Sequence, residues 1–175
     1  MEEKQNSVIA SSLTSGIIVG IVLIVFSLLM YFLDVDPQSK IMWLSYLILA
    51  AGLWWAIISY RNKLPGGYLT YGKAFSAGFF TGLFASIILA IFTFIYVQYI
   101  DTTLIDKILA NTENKILNKQ PNISDEDLDR ALSMTRKFTN PSMMSIFSFV
   151  GNTILSTLFS LIIAIFAKRE DNRLA

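Results

Sequence analysis

Four long stretches of the chain contain no charged residue, and together they account for most of its 175 residues. They cover residues 5–33, 41–60, 74–100 and 138–167. A helix rises about 1.5 Å per residue, so about 20 residues are needed to cross roughly 30 Å of hydrocarbon. Each stretch is long enough, which predicts an integral membrane protein with four transmembrane helices.

The predicted fold class is all-α, a four-helix transmembrane bundle in one membrane domain over residues 1–175. We expect the spans at residues 8–33, 41–60, 74–100 and 143–167. The chain begins with acidic residues, and its first apolar stretch is longer than that of a signal peptide, so we expect the first span to stay uncleaved. Pro37 then predicts a turn, because proline disfavours helix at the residue before it.

The polar segment between spans three and four predicts an amphipathic helical hairpin over residues 102–138. Leu104, Ile108 and Ile116 fall on one face of a helix. Ser124, followed three residues later by Asp127, forms the sequence pattern of a capping box at the start of a second helix. We expect this hairpin to lie against the membrane surface or on the end of the bundle.

Composition excludes several functional classes. The chain has no Cys and no His, so it lacks thiolate ligands, disulfides and the commonest general base. The net charge of +1 gives no reason to expect nucleic acid as a partner. The charged candidates for catalysis lie scattered at the predicted membrane edges: Asp34, Asp36, Asp101, Asp106 and Lys73. We therefore predict no catalytic, metal or cofactor site, and a protein that is not an enzyme.

Small residues recur at every fourth position in two spans. They are Gly16 and Gly20 in the first span, and Gly78, Gly82 and Ser86 in the third. Gly-x-x-x-Gly lets two helix backbones approach closely in a membrane. Two interpretations stay open, namely packing of spans one and three within the chain, or an interface with a second copy or a partner protein.

The fourth span carries a polar stripe at the same spacing, formed by Ser148, Asn152, Ser156 and Ser160. Such side chains hydrogen-bond to neighbouring helices, and they could also line a hydrated pathway. No Asp, Glu, Lys or Arg lies within the predicted core of any span, which disfavours proton-coupled transporters and pumps.

Topology has to be argued from the distribution of cations, because four spans place both termini on one side. Lys and Arg are equally numerous on the two sides, but they are densest around the loop of residues 61–73, which contains no acidic residue. The positive-inside rule then predicts cytoplasmic termini. Arg61 and Lys73 flank the membrane on that side and are candidates for contact with lipid headgroups.

One segment resembles a known family. The sequence of residues 60–75, YRNKLPGGYLTYGKAF, together with Gly78, Tyr96 and Asp101, resembles bacterial membrane proteins grouped as domain of unknown function 4199. In that family a similar Gly-Gly segment links spans two and three, and an aromatic-rich third span ends in Ile-Asp-Pro. This chain departs from that pattern at the local turn, where Thr102 stands at the proline position.

The resemblance implies a four-span protein of the bacterial inner membrane with no established activity. It also suggests a glycosyltransferase acting on lipid-linked sugars as a partner, besides membrane lipids. Our leading hypothesis is a non-catalytic accessory or scaffold subunit of a membrane complex. The alternative is a small transporter or channel-like facilitator lined by the polar face of span four, and a lipid-handling enzyme is a third hypothesis.

Overall fold

A computed structural model describes residues 8–35 and 39–169 and shows a protein built from helices. Six α-helices follow one another: α1 (Val8–Phe32), α2 (Leu44–Asn62), α3 (Tyr71–Ile95), α4 (Leu104–Lys119), α5 (Asp125–Phe138) and α6 (Pro141–Ala167). Short 3-10 turns at Lys40–Trp43 and Pro65–Gly67 flank α2, and α3 continues into a π-helical turn at Tyr96–Ile100.

The predicted fold class is confirmed. In the described part of the chain, four helices are long and apolar enough to cross a membrane, and they cover Val8–Phe32, Lys40–Asn62, Tyr71–Ile100 and Pro141–Ala167. Helices α4 and α5 lie in the predicted hairpin segment, and their stripes of partly buried apolar residues have the predicted helical period.

The end of α1 is set by a local motif rather than by proline alone. The Asp34 N–H donates to Tyr31 O and the Val35 N–H donates to Met30 O, each across 3.0 Å. Asp34 has a φ of 51°. This is the Schellman arrangement, in which a left-handed residue closes the helix and satisfies its last carbonyls. Residues 36–38, which include Pro37 and the candidate Asp36, lie outside the described residues.

Polar side chains mark the starts of α5 and α6. The Asp127 N–H donates to Ser124 Oγ across 3.2 Å, which confirms the predicted N-cap of α5. Helix α6 begins at Pro141, two residues before the predicted span, and the Met143 N–H donates to Asn140 Oδ1 across 3.0 Å. Proline suits the first helical position, because the N–H it lacks would have no intrahelical acceptor there.

The chain divides into two compact units. The first comprises Met1–Leu89 with Phe149–Ala175, and the second comprises Ala90–Ser148. Helices α3 and α6 therefore contribute residues to both units.

In the first unit, α2 forms much of the core through Leu49, Leu53 and Ile57, which are all buried. Ser12 Oγ on α1 donates a hydrogen bond of 3.1 Å to Ala77 O on α3. Such bonds between helices stabilise a membrane protein by about 0.6 kcal/mol each.

The loop after α2 is fixed to the end of α6. Leu69 is buried, and it exchanges two backbone hydrogen bonds of 2.8 Å with Arg169 in an isolated antiparallel bridge. Gly66 and Gly67 have φ values of 70° and 66°, which side chains with a Cβ rarely adopt. The Pro-Gly-Gly turn is therefore what allows the loop to reverse and reach Arg169.

In the second unit, hydroxyl groups join the end of α3 to the start of α6. Ser145 Oγ donates to Ala90 O across 2.8 Å, and Thr93 Oγ1 donates to Ser148 Oγ across 3.1 Å. Helices α4 and α5, which lie between α3 and α6 in the chain, pack against each other.

Candidate functional site

The small-residue face of α1 packs within the first unit. A Cβ added at Gly16 would lie 2.7 Å from Phe84 Cβ, and one added at Gly20 would lie 3.2 Å from Ile88 Cγ2. Real Cβ atoms do not approach other carbons as closely as 2.7 Å, since favourable carbon contacts lie at about 3.5–4.0 Å. Helix α1 therefore needs these glycines to approach α3.

The glycines of α3 face α6 and α2. A Cβ at Gly78 would lie 2.5 Å from Ser160 Oγ and 2.9 Å from Ile57 Cδ1. A Cβ at Gly82 would collide with Ser156 Cβ. Each glycine thus accommodates a serine of α6, and both positions are occupied by the chain itself.

Ser86 continues this face of α3. Its side chain is buried, and its Oγ donates to Gly82 O across 2.7 Å. The hydroxyl therefore has its hydrogen-bond acceptor within its own helix, and the small side chain allows close packing around this position.

The polar stripe of α6 is divided between the two units. Ser148 belongs to the second unit, where it accepts the bond from Thr93, whereas Asn152, Ser156 and Ser160 belong to the first. Asn152 is partly buried. The hydroxyls of Ser156 and Ser160 are buried and have no hydrogen-bond partner among the residues that the structure describes. These two serines fill the space beside the α3 glycines.

The two candidates for lipid-headgroup contact differ in their surroundings. Arg61 Nη1 donates a hydrogen bond of 3.3 Å to Ala167 O, at the carboxyl end of α6 where a cation is favourable. Lys73 is exposed in the first turn of α3. Nearby in the same loop, Lys63 Nζ donates to Ser11 Oγ across 3.3 Å.

A buried carboxylate follows the π-helical turn at the end of α3. Asp101 is only 5% exposed, and it accepts hydrogen bonds from Thr103 Oγ1 at 2.8 Å and Tyr96 OH at 3.5 Å. Lys107 Nζ lies 3.7 Å from Asp101 Oδ2. The Asp101 N–H donates to Tyr96 O across 2.8 Å, which closes the π turn. These contacts connect the end of α3 to the first turn of α4.

An open groove of about 430 Å³ lies between α4 and α5. Its charged lining consists of three acidic residues, Asp106, Glu113 and Asp129, and one cation, Arg136. Over residues 8–35 and 39–169, no three acidic side chains are grouped closely enough to hold a metal ion. Of the predicted candidates, Asp106 lines this groove and Asp101 does not.

Helix α2 exposes two adjacent tryptophans near the middle of its span. Trp54 and Trp55 are each 45% exposed, next to the exposed Leu47 and Ala51. We call these four residues the tryptophan face. This face was not predicted from the sequence, although two tryptophans far from both ends of an apolar span are a visible signal.

Taken together, the helices and their packing define a four-span, all-helical membrane protein. The sequence model of one family, described as "Protein of unknown function (DUF4199)", matches residues 14–169, which is nearly the whole chain. The chain belongs to this family, and the predicted resemblance is confirmed. Neither a curated protein nor a solved structure matches the chain.

Proposed function

We propose that this protein is a non-catalytic accessory or scaffold subunit that binds a partner membrane protein through the tryptophan face of α2. The observation that supports the proposal is the depth of Trp54 and Trp55 within the membrane. Tryptophan is enriched at membrane interfaces, where its N–H can meet water or headgroups, and not in the hydrocarbon.

The depth follows from the helix geometry. At about 1.5 Å per residue, Trp54 lies about 10 Å from Arg61 at one end of the span and about 21 Å from Lys40 at the other. If those two cations mark the edges of the hydrocarbon, Trp54 lies about 5 Å from the midplane. Helical side chains tilt toward the amino terminus, which moves both indole rings nearer the middle of the membrane.

Neither indole N–H has an acceptor in the part of the chain that the structure describes. Lipid tails offer none, and an unsatisfied polar group in hydrocarbon is unfavourable. An exposed aromatic pair with unmet donors is the kind of surface that forms the centre of a protein interface.

The tryptophan face fits a helix of a different protein better than a second copy. In a two-fold dimer the same surface is used by both copies, and this face presents two donors and no side-chain acceptor. A partner helix with hydroxyl, amide or exposed carbonyl groups would accept from Trp54 and Trp55. The small Ala51 allows the backbone of that helix to approach.

The packing of the α3 glycines also favours a partner surface on α2. Gly78 and Gly82 are covered by Ser160 and Ser156, so their substitution would disturb the chain's own packing first. Ser156 and Ser160 are almost completely buried against these glycines and do not line an open path, and the facilitator is therefore our second hypothesis. The lipid-handling enzyme is third, because no compact acidic cluster within residues 8–35 and 39–169 supports it.

We also propose a location in the bacterial inner membrane with cytoplasmic termini. The family resemblance supports the membrane, and the cations around the loop of residues 61–73 support the orientation. Arg61 and Lys63 are both engaged at the end of the first unit that carries this loop.

The partner should be identified by extraction at native expression in a mild detergent, sizing of the complex and mass spectrometry. We expect a stoichiometric second membrane protein, and the spectra would also test whether it is a glycosyltransferase. In the double variant Trp54→Phe/Trp55→Phe the rings remain but the donors are lost. At about 0.6–1 kcal/mol for each bond, we expect about tenfold weaker association.

Trp43→Phe is the matched control, because Trp43 lies at the end of the span where its N–H can meet headgroups. It should leave the complex intact. An unaltered complex with the double variant would refute the role of the tryptophan face. A wild-type protein that is extracted alone, or only as a homo-oligomer, would refute the accessory function.

A further inference from the structure

We propose that the last two turns of α5 form a membrane-surface anchor, in which Met134 and Phe138 insert into the headgroup layer of the bilayer. Arg130 and Lys137 flank them and contact lipid phosphates. This anchor lies in the second unit and does not depend on the tryptophan face of α2.

The residues of α5 that face α4 do not include this pair. Leu128, Ala131, Leu132 and Thr135 are partly buried and form one stripe of the helix. Met134 is 64% exposed and Phe138 is 48% exposed, although both are large and apolar. They lie four residues apart, so their side chains are neighbours on the helix surface.

Phe138 is close to a side chain that belongs in the membrane. Its ring centroid lies 6.4 Å from that of Phe147, on α6. Phe147 and its neighbour Ile146 are exposed, apolar and part of a membrane-spanning helix. At about 1.5 Å per residue, Phe147 lies about 9 Å along α6 from Pro141. The end of α5 therefore lies beside the first turns of α6. The apolar surfaces of the two helices are continuous at this point.

The cationic side chains of α5 lie where they can contact the phosphates of lipid headgroups. At about 100° per residue, Arg130, Met134, Lys137 and Phe138 fall within one third of the helix circumference. Asp129 lies about 140° from Met134, on the side that lines the acidic groove. A helix with an apolar and cationic face lies in the membrane interface with that face inward.

Within residues 8–35 and 39–169, Lys137 forms no ion pair. Arg130 is bonded to Glu126 at 2.7 Å, but both side chains are about three-quarters exposed. Such an exposed pair is weak and can exchange for a phosphate. Basic residues near an anionic surface contribute about 1 kcal/mol each to membrane binding.

The chain has no Cys, so a single introduced thiol can carry a fluorescent label without other changes. We would label Met134→Cys with an environment-sensitive fluorophore in the full chain, reconstituted in vesicles of phosphatidylcholine and phosphatidylglycerol. Lipids brominated on the acyl chains near the headgroup should quench this label several times more strongly than the same label at Asp129→Cys. The second position is the matched control on the opposite side of the same helix.

Equal quenching at the two positions, stronger quenching at 129, or no quenching at either would overturn the proposal. If the labelled variants do not fold, the unaltered chain gives a second measurement. Spin-labelled lipid should broaden the methyl resonance of Met134 in methionine-labelled protein, and an unbroadened resonance would equally overturn the anchor.

Discussion

Gly82 offers the sharpest test of how α3 packs against α6. In Gly82→Ala the new methyl group would collide with Ser156 Cβ, an atom fixed directly to the α6 backbone. A flexible side-chain end could rotate away, but here the two helices have to separate. We therefore expect the substitution to destabilise the protein, although alanine is the better helix former.

The magnitude is the difference between two opposing effects. Replacing glycine by alanine within a helix is favourable by about 1 kcal/mol. Overpacking of a well-packed site costs about 1–3 kcal/mol, and a contact with a backbone-linked atom belongs at the upper end. The expected net loss in the free energy of unfolding is about 2 kcal/mol.

Gly151→Ala is the matched control on α6. Gly151 is exposed, and a Cβ there would meet nothing within 4 Å. This variant should therefore be unchanged or up to about 1 kcal/mol more stable. The two alanine variants should then differ by about 2–3 kcal/mol.

The free energies can be measured by titrating the purified protein in mixed micelles with dodecyl sulfate and following helical circular dichroism. The double variant Gly82→Ala/Ser156→Gly adds a Cβ on α3 and removes the side chain on α6 that this Cβ would contact, and it should recover about 1–3 kcal/mol relative to additivity. The reasoning would be refuted if Gly82→Ala were as stable as the natural protein, or if the double variant showed no coupling.

Two further substitutions test local features in the same assay. Asp101→Asn removes the charge that Lys107 contacts in a buried site, and we expect about 1–2 kcal/mol of destabilisation. Glu126→Gln breaks an exposed ion pair and should change stability by less than about 0.5 kcal/mol, so equal effects would contradict a structural role for the buried carboxylate. Gly66→Ala forces a Cβ onto a residue with a φ of 70° and should cost about 1–2 kcal/mol. Gly72→Ala, which meets nothing within 4 Å, should be neutral, and a neutral Gly66→Ala would show that the turn can relax.

Local patterns in the sequence were good predictors of where helices lie. The uncharged stretches gave the four spans to within a few residues, because membrane thickness fixes how many apolar residues a helix needs. Ser124 correctly predicted the start of α5, because its capping bond joins residues only three positions apart and is therefore visible in the local sequence. The Schellman end of α1 was not predicted, because Asp34 adopts a left-handed conformation that glycine more commonly provides.

The candidate sites were less predictable. The spacing of glycines and serines identified faces on α1, α3 and α6, but the same spacing is compatible with any close neighbour. Trp54 and Trp55 belong to an apolar span like many other residues, and their importance depends on whether another helix covers them. The exposure of a side chain depends on the helices around it, so it cannot be predicted from the sequence of one helix.

Charge, length and capping are local properties of the chain, and they were sufficient to predict a four-span helical membrane protein. The tertiary structure decided which faces meet. It placed Gly78 and Gly82 against Ser160 and Ser156, and it left the tryptophan face of α2 and much of the cationic, apolar face of α5 exposed. The physical reason is that a helix in a membrane is apolar on every side, so its hydropathy does not distinguish a face that packs against protein from one that meets lipid.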